Sequence, residues 1–239
     1  MLTDFPKIEC PFVRKTFRVN PDDFKKHGAK LGLREPSVYL AIDEINPGYE
    51  WVFDDPETFA VEKLDGTNIK IRTEAGRLVE IQNRLNLIDP LRVVNISKGN
   101  LAIIEGLMRA ISLGYIVDNE EQAGELIGPK FNANPLQLKE HIWYPFEKAL
   151  SSLRYKSFNA HEPTFENLSQ WFQRFLKSMY YGRVNNLKMD EHDVMAEGVV
   201  FYNLKRKAKQ QVWRAKLRRD MFRWFYDGQI SVEDTPLES

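Results

Sequence analysis

The sequence predicts an α+β fold in which antiparallel hairpins alternate with helices. Three observations carry this. Residues 67–72 and 78–83 alternate apolar and polar side chains on either side of Glu74-Ala75-Gly76-Arg77, as the arms of a hairpin do. A second pair of arms, residues 199–204 and 211–217, flanks the basic turn Lys205-Arg206-Lys207-Ala208-Lys209. Between the hairpins, residues 101–116 and the stretch that opens at Thr164 space their apolar side chains as helices do. With 239 residues, 43% hydrophobic and 12% aromatic, the chain can bury a full core.

Asn20-Pro21-Asp22-Asp23 predicts a helix start: an N-cap, a proline suited to the first helical position, and two acids that favour the dipole. This helix is expected to end near Gly28 or Gly32. Residues 39–42 read as a strand, followed by a long loop with prolines and acids up to Pro56. Residues 58–61 read as a strand that runs into Glu62-Lys63-Leu64-Asp65-Gly66-Thr67-Asn68. Residues 122–127 are a short strand bounded by Gly128-Pro129, and residues 139–150 mix aromatics with the turn-former Pro145. From Thr164 one helix is expected to continue to Gly182. Phe165, Leu168, Phe172, Phe175, Leu176 and Met179 would lie on one face as core packing. The tail from 229 is acidic and is expected to fray.

Composition excludes several classes. Cys10 is the only cysteine, so there is no disulfide framework and no cysteine zinc site, which fits a reducing, cytoplasmic setting. His27, His141, His161 and His192 show no metal-ligand spacing. Residues 1–13 contain Asp4, Lys7 and Glu9 and lack the apolar run of a signal peptide, and no stretch reaches membrane-spanning length. There is no internal repeat. Lys+Arg and Asp+Glu are equal at 34 each, so net charge gives no pointer to nucleic acid. Local charge does: residues 205–223 hold nine basic side chains against Asp220 alone, a patch suited to phosphate backbones.

Lys63, two residues before Asp65-Gly66, suits covalent nucleotidyl transfer. Strand residues two apart point to the same side, so Lys63 and Asp65 can share a pocket while Leu64 turns to the core. Gly66 permits a tight turn or close approach. The attacking amine must be neutral, yet free lysine titrates near about 10.4. Neighbouring cations, a metal or desolvation must lower that value. Further along, Arg214 and Lys216 are two apart on a predicted strand, with Trp213, Ala215 and Leu217 packing behind, and Glu197 opens the paired strand. An acid and two cations can thus face one pocket, as a triphosphate with magnesium requires.

The order Lys63-x-Asp65-Gly66, Arg84, Gly124-Glu125-Leu126-Ile127-Gly128, Glu197-Gly198-Val199-Val200 and Arg214-x-Lys216 resembles the covalent nucleotidyltransferase superfamily of ATP-dependent DNA ligases, RNA ligases and mRNA capping enzymes. Asp65-Gly66-Thr67-Asn68 and the Glu125 motif resemble RNA ligases most, in the branch of phage nick-sealing and kinetoplastid RNA-editing ligases. The resemblance spans about residues 55–220. It implies the adenylation-domain fold, with two antiparallel sheets enclosing the nucleotide and helices outside. It implies Lys63 as the nucleophile of a lysyl-AMP adduct, Glu62 beside the adenine, and Asn68 among the nucleotide contacts. Arg84 would lie near the ribose and the incoming RNA end, and Glu125 at the ribose hydroxyls. Phe146 would stack on the base, with Tyr144 and Trp143 as alternatives. Glu197 would hold Mg2+ or Mn2+ or its water shell, and Lys216 the transferred phosphate.

Two departures stand out. Arg214 occupies a position usually held by lysine; it keeps the charge and can clamp phosphate, but cannot donate a proton. The resemblance also leaves no room after Leu217 for an OB-fold or helical appendage, so a catalytic domain alone is expected. Its expected layout is an N-terminal elaboration over 1–55, the nucleotidyltransferase domain over 56–228 and a frayed tail over 229–239. The implied activity is ATP-dependent ligation of RNA 5′-phosphate and 3′-hydroxyl ends, with DNA as the open alternative strand. Encoding by a phage or virus acting in the host cytoplasm would fit that branch. A compact DNA ligase, a capping-type guanylyltransferase, or an RNA-binding protein with a degenerate ligase fold are the competing readings.

Overall fold

The computed structural model describes residues 7–83, 87–88, 98–160, 162–208 and 211–237. In chain order its elements are β1 (Phe12–Val19), α1 (Pro21–His27), β2 (Ser37–Ile45), α2 (Trp51–Asp54), β3 (Phe59–Lys63), β4 (Thr67–Glu74), β5 (Arg77–Asn83), β6 (Leu87–Ile88) and α3 (Lys98–Ser112). Then follow β7 (Glu121–Ile127), β8 (Ile142–Pro145), α4 (Phe146–Ser152), β9 (Arg154–Tyr155), α5 (Phe165–Arg174), α6 (Met179–Asn185), β10 (Gly198–Ala208), β11 (Gln211–Arg218) and β12 (Val232–Pro236). The described residues form three sheets, in place of the two expected: β12-β1-β2, β11-β10-β3-β9 and β6-β5-β4-β7-β8. The α+β class stands.

The chain divides into two compact units that interleave in sequence. One comprises Met1–Lys7, Val61–Arg154 and Lys177–Ala196; the other Ile8–Ala60, Tyr155–Leu176 and Glu197–Ser239.

The first unit holds the five-stranded sheet. The β4–β5 hairpin forms as its alternation predicts, with Ala75 and Gly76 both at positive φ (48° and 73°), the backbone a two-residue hairpin turn requires. Asn119 Oδ1 and Asp118 Oδ2 accept the two turn N–H groups. Register pairs Ile71 with Ile81, Ile69 with Gly124, and Leu126 with Trp143. Directly opposed residues share a face. The apolar set Ile69, Ile71, Ile81, Leu126 and Trp143 therefore packs together against Ile103, Leu107 and Ala110 of α3. Helix α3 stops short of residue 116 because Gly114 turns left-handed (φ 65°) and Tyr115 N–H donates back to Ala110 O. The opposite sheet face carries Asn68, Lys70, Arg72, Glu121 and Glu125, and is polar.

The second unit has its own core of Phe17, Val19, Val38, Leu40, Tyr226 and Ile230. Helix α1 begins as expected, with Asn20 Oδ1 accepting from the Asp22 and Asp23 N–H groups, and is followed by Gly28. Within the tail, residues 232–236 are ordered where fraying is expected: β12 pairs antiparallel with β1, Val232 opposite Val19 and Pro236 opposite Phe17. The acids that suggested fraying point outward, and Arg223 ties the strand down by donating to the Val232 and Glu233 carbonyls.

The single helix expected from Thr164 to Gly182 is two. Thr164 caps α5 as predicted, but the helix ends at Phe175, which is 66% exposed. The apolar stripe is interrupted because Ser178, wholly buried, starts α6 as its N-cap, accepting from Tyr181 N–H. Gly182 lies inside α6 and is no stop.

Candidate active site

Lys63 is the last residue of β3, and residues 64–66 join it to β4. Leu64 is buried, as expected, and the half-buried Lys63 lies with Nζ 3.4 Å from Leu64 O. Asp65 lies beyond the strand end, in the connection. It is held by a residue that the motifs do not single out: Asn132 Nδ2 donates to Asp65 Oδ1 (2.5 Å) and Gly66 O (3.0 Å). Asn132, Ala133 and Asn134 are all left-handed (φ 46°, 58° and 52°), so the loop after β7 curls back over the turn. Two asparagines in such a run were the available signal, since asparagine tolerates that backbone. Gly66 is required sterically. A β-carbon there would lie 2.2 Å from Leu126 O.

On the polar sheet face, register sets Asn68 directly opposite Glu125, and Glu125 opposite Tyr144. Two of the expected nucleotide-binding residues are therefore brought together by pairing alone. Asn68 Oδ1 is buried and finds no hydrogen-bond partner among the described residues. Lys70, next on the same face, is buried and pairs with Glu121 at 3.0 Å.

Glu62 differs from the expectation that it lies beside a base. Alternation turns it away from Lys63, and it is only 3% exposed. Ser178 Oγ donates to its Oε1 (2.5 Å) and Tyr180 N–H to its Oε2 (2.8 Å). Burial pushes its carboxyl up to about 7, while the Ser178 hydroxyl, the Tyr180 and Met179 N–H groups and Arg183 pull it back.

Among the three aromatics, Trp143 is a core residue: it is fully buried and its Nε1–H donates to Ile69 O. Tyr144 is buried, bonded to Ser152 and in edge contact with Tyr115 and Tyr180. Phe146 opens α4 and is half-buried. Arg84 lies outside the described residues. His141 is structural: Lys130 N–H donates to Nε2, so Nδ1 donates to Glu105.

In the second unit, β10 and β11 pair Val200 with Lys216, Tyr202 with Arg214, and Gly198 with Arg218. Arg214, Lys216 and Arg218 thus share one face, while Ala215 and Leu217 are buried behind them. Lys216 N–H donates to Glu9 O, which fixes the strand from its other edge. Glu197 precedes β10, and its carboxylate lies 3.6 Å from Arg218 Nη1. In the sequence, Arg218 stands out only as part of the basic run. Residues 205–208, expected in the turn, instead extend β10, with Ala208 paired to Gln211. Lys205 pairs with Glu57 at 2.5 Å; Lys209 and the side chains of Arg206 and Lys207 fall outside the described residues. Among the described residues no three His, Cys, Asp or Glu side chains converge on a metal position. No helix among them is long and apolar enough to cross a membrane.

No family model and no curated protein matches the chain. Solved structures do. A Naegleria gruberi RNA ligase with PPi is 19% identical at a TM-score of 0.41, over 67% of this chain and 49% of that one. The chain is similar to RNA ligase structures. A lysine-to-alanine mutant of the Naegleria enzyme with ATP and Mn is 16% identical at a TM-score of 0.45, over 90% of this chain and 62% of that one. A lysine-to-methionine mutant with AMP and Mn is 15% identical at 0.41. This chain spans about half the length of the first structures it matches.

Proposed function

We propose that the chain is an ATP-dependent RNA ligase working through a lysyl-AMP intermediate. The observation that carries this is the lysine turn itself. Lys63 ends a strand, Asp65-Gly66 follows in a turn braced by Asn132, and the next strand sets Asn68 opposite Glu125. This arrangement gives an amine on rigid backbone, next to a polar sheet face with an unsatisfied buried acceptor.

In this reading Lys63 is the nucleophile, and Asn68, Glu125, Arg84 and the stacking aromatic Phe146 are the groups for sugar and base. Arg214 and Lys216 are the residues for phosphate charge. Lys63 attacks the α-phosphate of ATP and pyrophosphate leaves. The AMP then passes to an RNA 5′-phosphate, and a 3′-hydroxyl displaces it. The protein's work in each step is in-line positioning and neutralisation of developing charge. Glu197 is the residue to hold Mg2+ or Mn2+. A single carboxylate suits an ion that completes its shell with nucleotide phosphates and water, and the ion supplies further charge neutralisation.

The test is incubation with ATP or GTP labelled at the α-phosphate, followed by a denaturing gel. ATP label should stay on the chain and disappear in Lys63→Ala. Label from GTP alone would indicate a capping-type activity, label on Lys63→Ala would move the nucleophile elsewhere, and no label at all would leave only a binding role.

A further inference from the structure

Glu62 directly precedes the proposed nucleophile, and its surroundings are more elaborate than a strand residue needs. Its carboxylate is buried and engaged at both oxygens by Ser178 Oγ and Tyr180 N–H. Its backbone N–H donates to Leu153 O at 2.9 Å. Ser178 is wholly buried, caps α6 through Tyr181 N–H, and donates its own N–H to Val194 O at 2.8 Å. The residue before Lys63 is thus held through side chain and backbone by neighbours themselves fixed. At 3% exposure the carboxylate offers no edge to a nucleobase.

We propose that Glu62, acting through Ser178 and the first turn of α6, is a positioning residue that fixes the strand end from which Lys63 attacks. The inference rests on the nucleotidyl-transfer reading. An attacking atom displaced by about 1 Å can lose on the order of a hundredfold in rate, so a clamp one residue away has leverage on the chemical step. It has little on nucleotide affinity.

The experiment follows Lys63 adduct formation with ATP and with purine riboside triphosphate, which lacks the exocyclic amine of adenine. Glu62→Ala should lower the maximal rate about tenfold or more, leave KM within about threefold, and do so equally for both nucleotides. Glu62→Gln, whose amide oxygen still accepts from Ser178, should recover part of the rate. Ser178→Ala should fall in the same sense by less, and the Glu62→Ala/Ser178→Ala pair should be no slower than Glu62→Ala, because the two act as a unit. A loss seen with ATP but not with the analogue would make Glu62 a base-binding residue and overturn the proposal. So would an effect confined to KM, or a wild-type rate. If Glu62→Ala does not fold, Ser178→Ala decides alone: a lowered maximal rate supports the clamp, an unchanged one overturns it. A wild-type chain that takes no label refutes the underlying reading and this inference together. A labelled wild type with unaffected variants refutes this inference alone.

Discussion

At the scale of single residues, position on a strand decides role. Lys63 and Glu62 are neighbours in sequence, yet alternation sends one amine outward and one carboxylate into the core. That burial has a measurable consequence. An ordinary glutamate titrates near 4.5, and Glu62 is pushed up to about 7. Between those values the unfolded chain releases a proton that the folded chain still holds. The stability this group contributes is therefore fully present below about pH 4.5 and is lost as pH rises through 7. The difference corresponds to about 3 kcal/mol as an upper bound. Glutamine cannot titrate, so urea denaturation of wild type and Glu62→Gln at pH 4.5 and pH 8 isolates this group from all others. Wild type should lose stability relative to Glu62→Gln between the two conditions. A constant difference would show that folding leaves the titration of Glu62 unshifted.

At the scale of elements, the hairpins, α1, α3 and the α5 cap were legible because each depends on local spacing and on a few turn or cap residues. So was the pairing of Arg214 with Lys216 on one face, which follows from strand period alone. What sequence spacing did not disclose depends on neighbours distant along the chain. The break between α5 and α6 is set by a buried serine answering a glutamate 116 residues earlier. The order in the tail comes from strand pairing with β1, where acidic composition spoke only of its exposed side. The brace on Asp65 comes from Asn132, 67 residues later, in a left-handed run that no periodicity announces. That loop can be tested as an element. Asn132 is exposed, so Asn132→Ala should change folding stability by less than about 1 kcal/mol. It also removes the amide that holds the Asp65 carboxylate two residues after Lys63, and misplacement at that scale slows an attack. Adduct formation on Lys63 should then slow by about tenfold or more, read from the same labelled-ATP gel. Unchanged labelling would reduce Asn132 to a loop residue whose hydrogen bond has no bearing on the chemistry.

At the scale of the whole molecule, zero net charge conceals uneven distribution. Acids and bases balance at 34 each, but residues 205–223 concentrate nine bases against one acid. Part of that charge has a structural assignment. Arg218 faces Glu197 and Asp220, Arg223 holds β12, and Lys205 meets Glu57 in an exposed pair. Such an exposed ion pair is weak enough to exchange for a phosphate. The basic stretch Lys205, Arg206, Lys207 and Lys209, at the end of β10 and just after it, is proposed to meet the strand, and it lies apart in sequence from Arg214 and Lys216. Neutralising all four should leave adenylation of Lys63 nearly intact. It should weaken binding of a 5′-phosphorylated RNA and flatten its salt dependence. Each phosphate that is no longer neutralised should reduce the log–log slope by about 0.7 on a single strand or about 0.9 on a duplex, so the change in slope tells how many phosphates the basic stretch engages. Affinities at several salt concentrations for wild type and the fourfold variant make the measurement. Converging lines, with the variant flatter, place the strand on this basic stretch. Coincident lines mean that the strand is gripped elsewhere on the chain and that this basic stretch does not touch it.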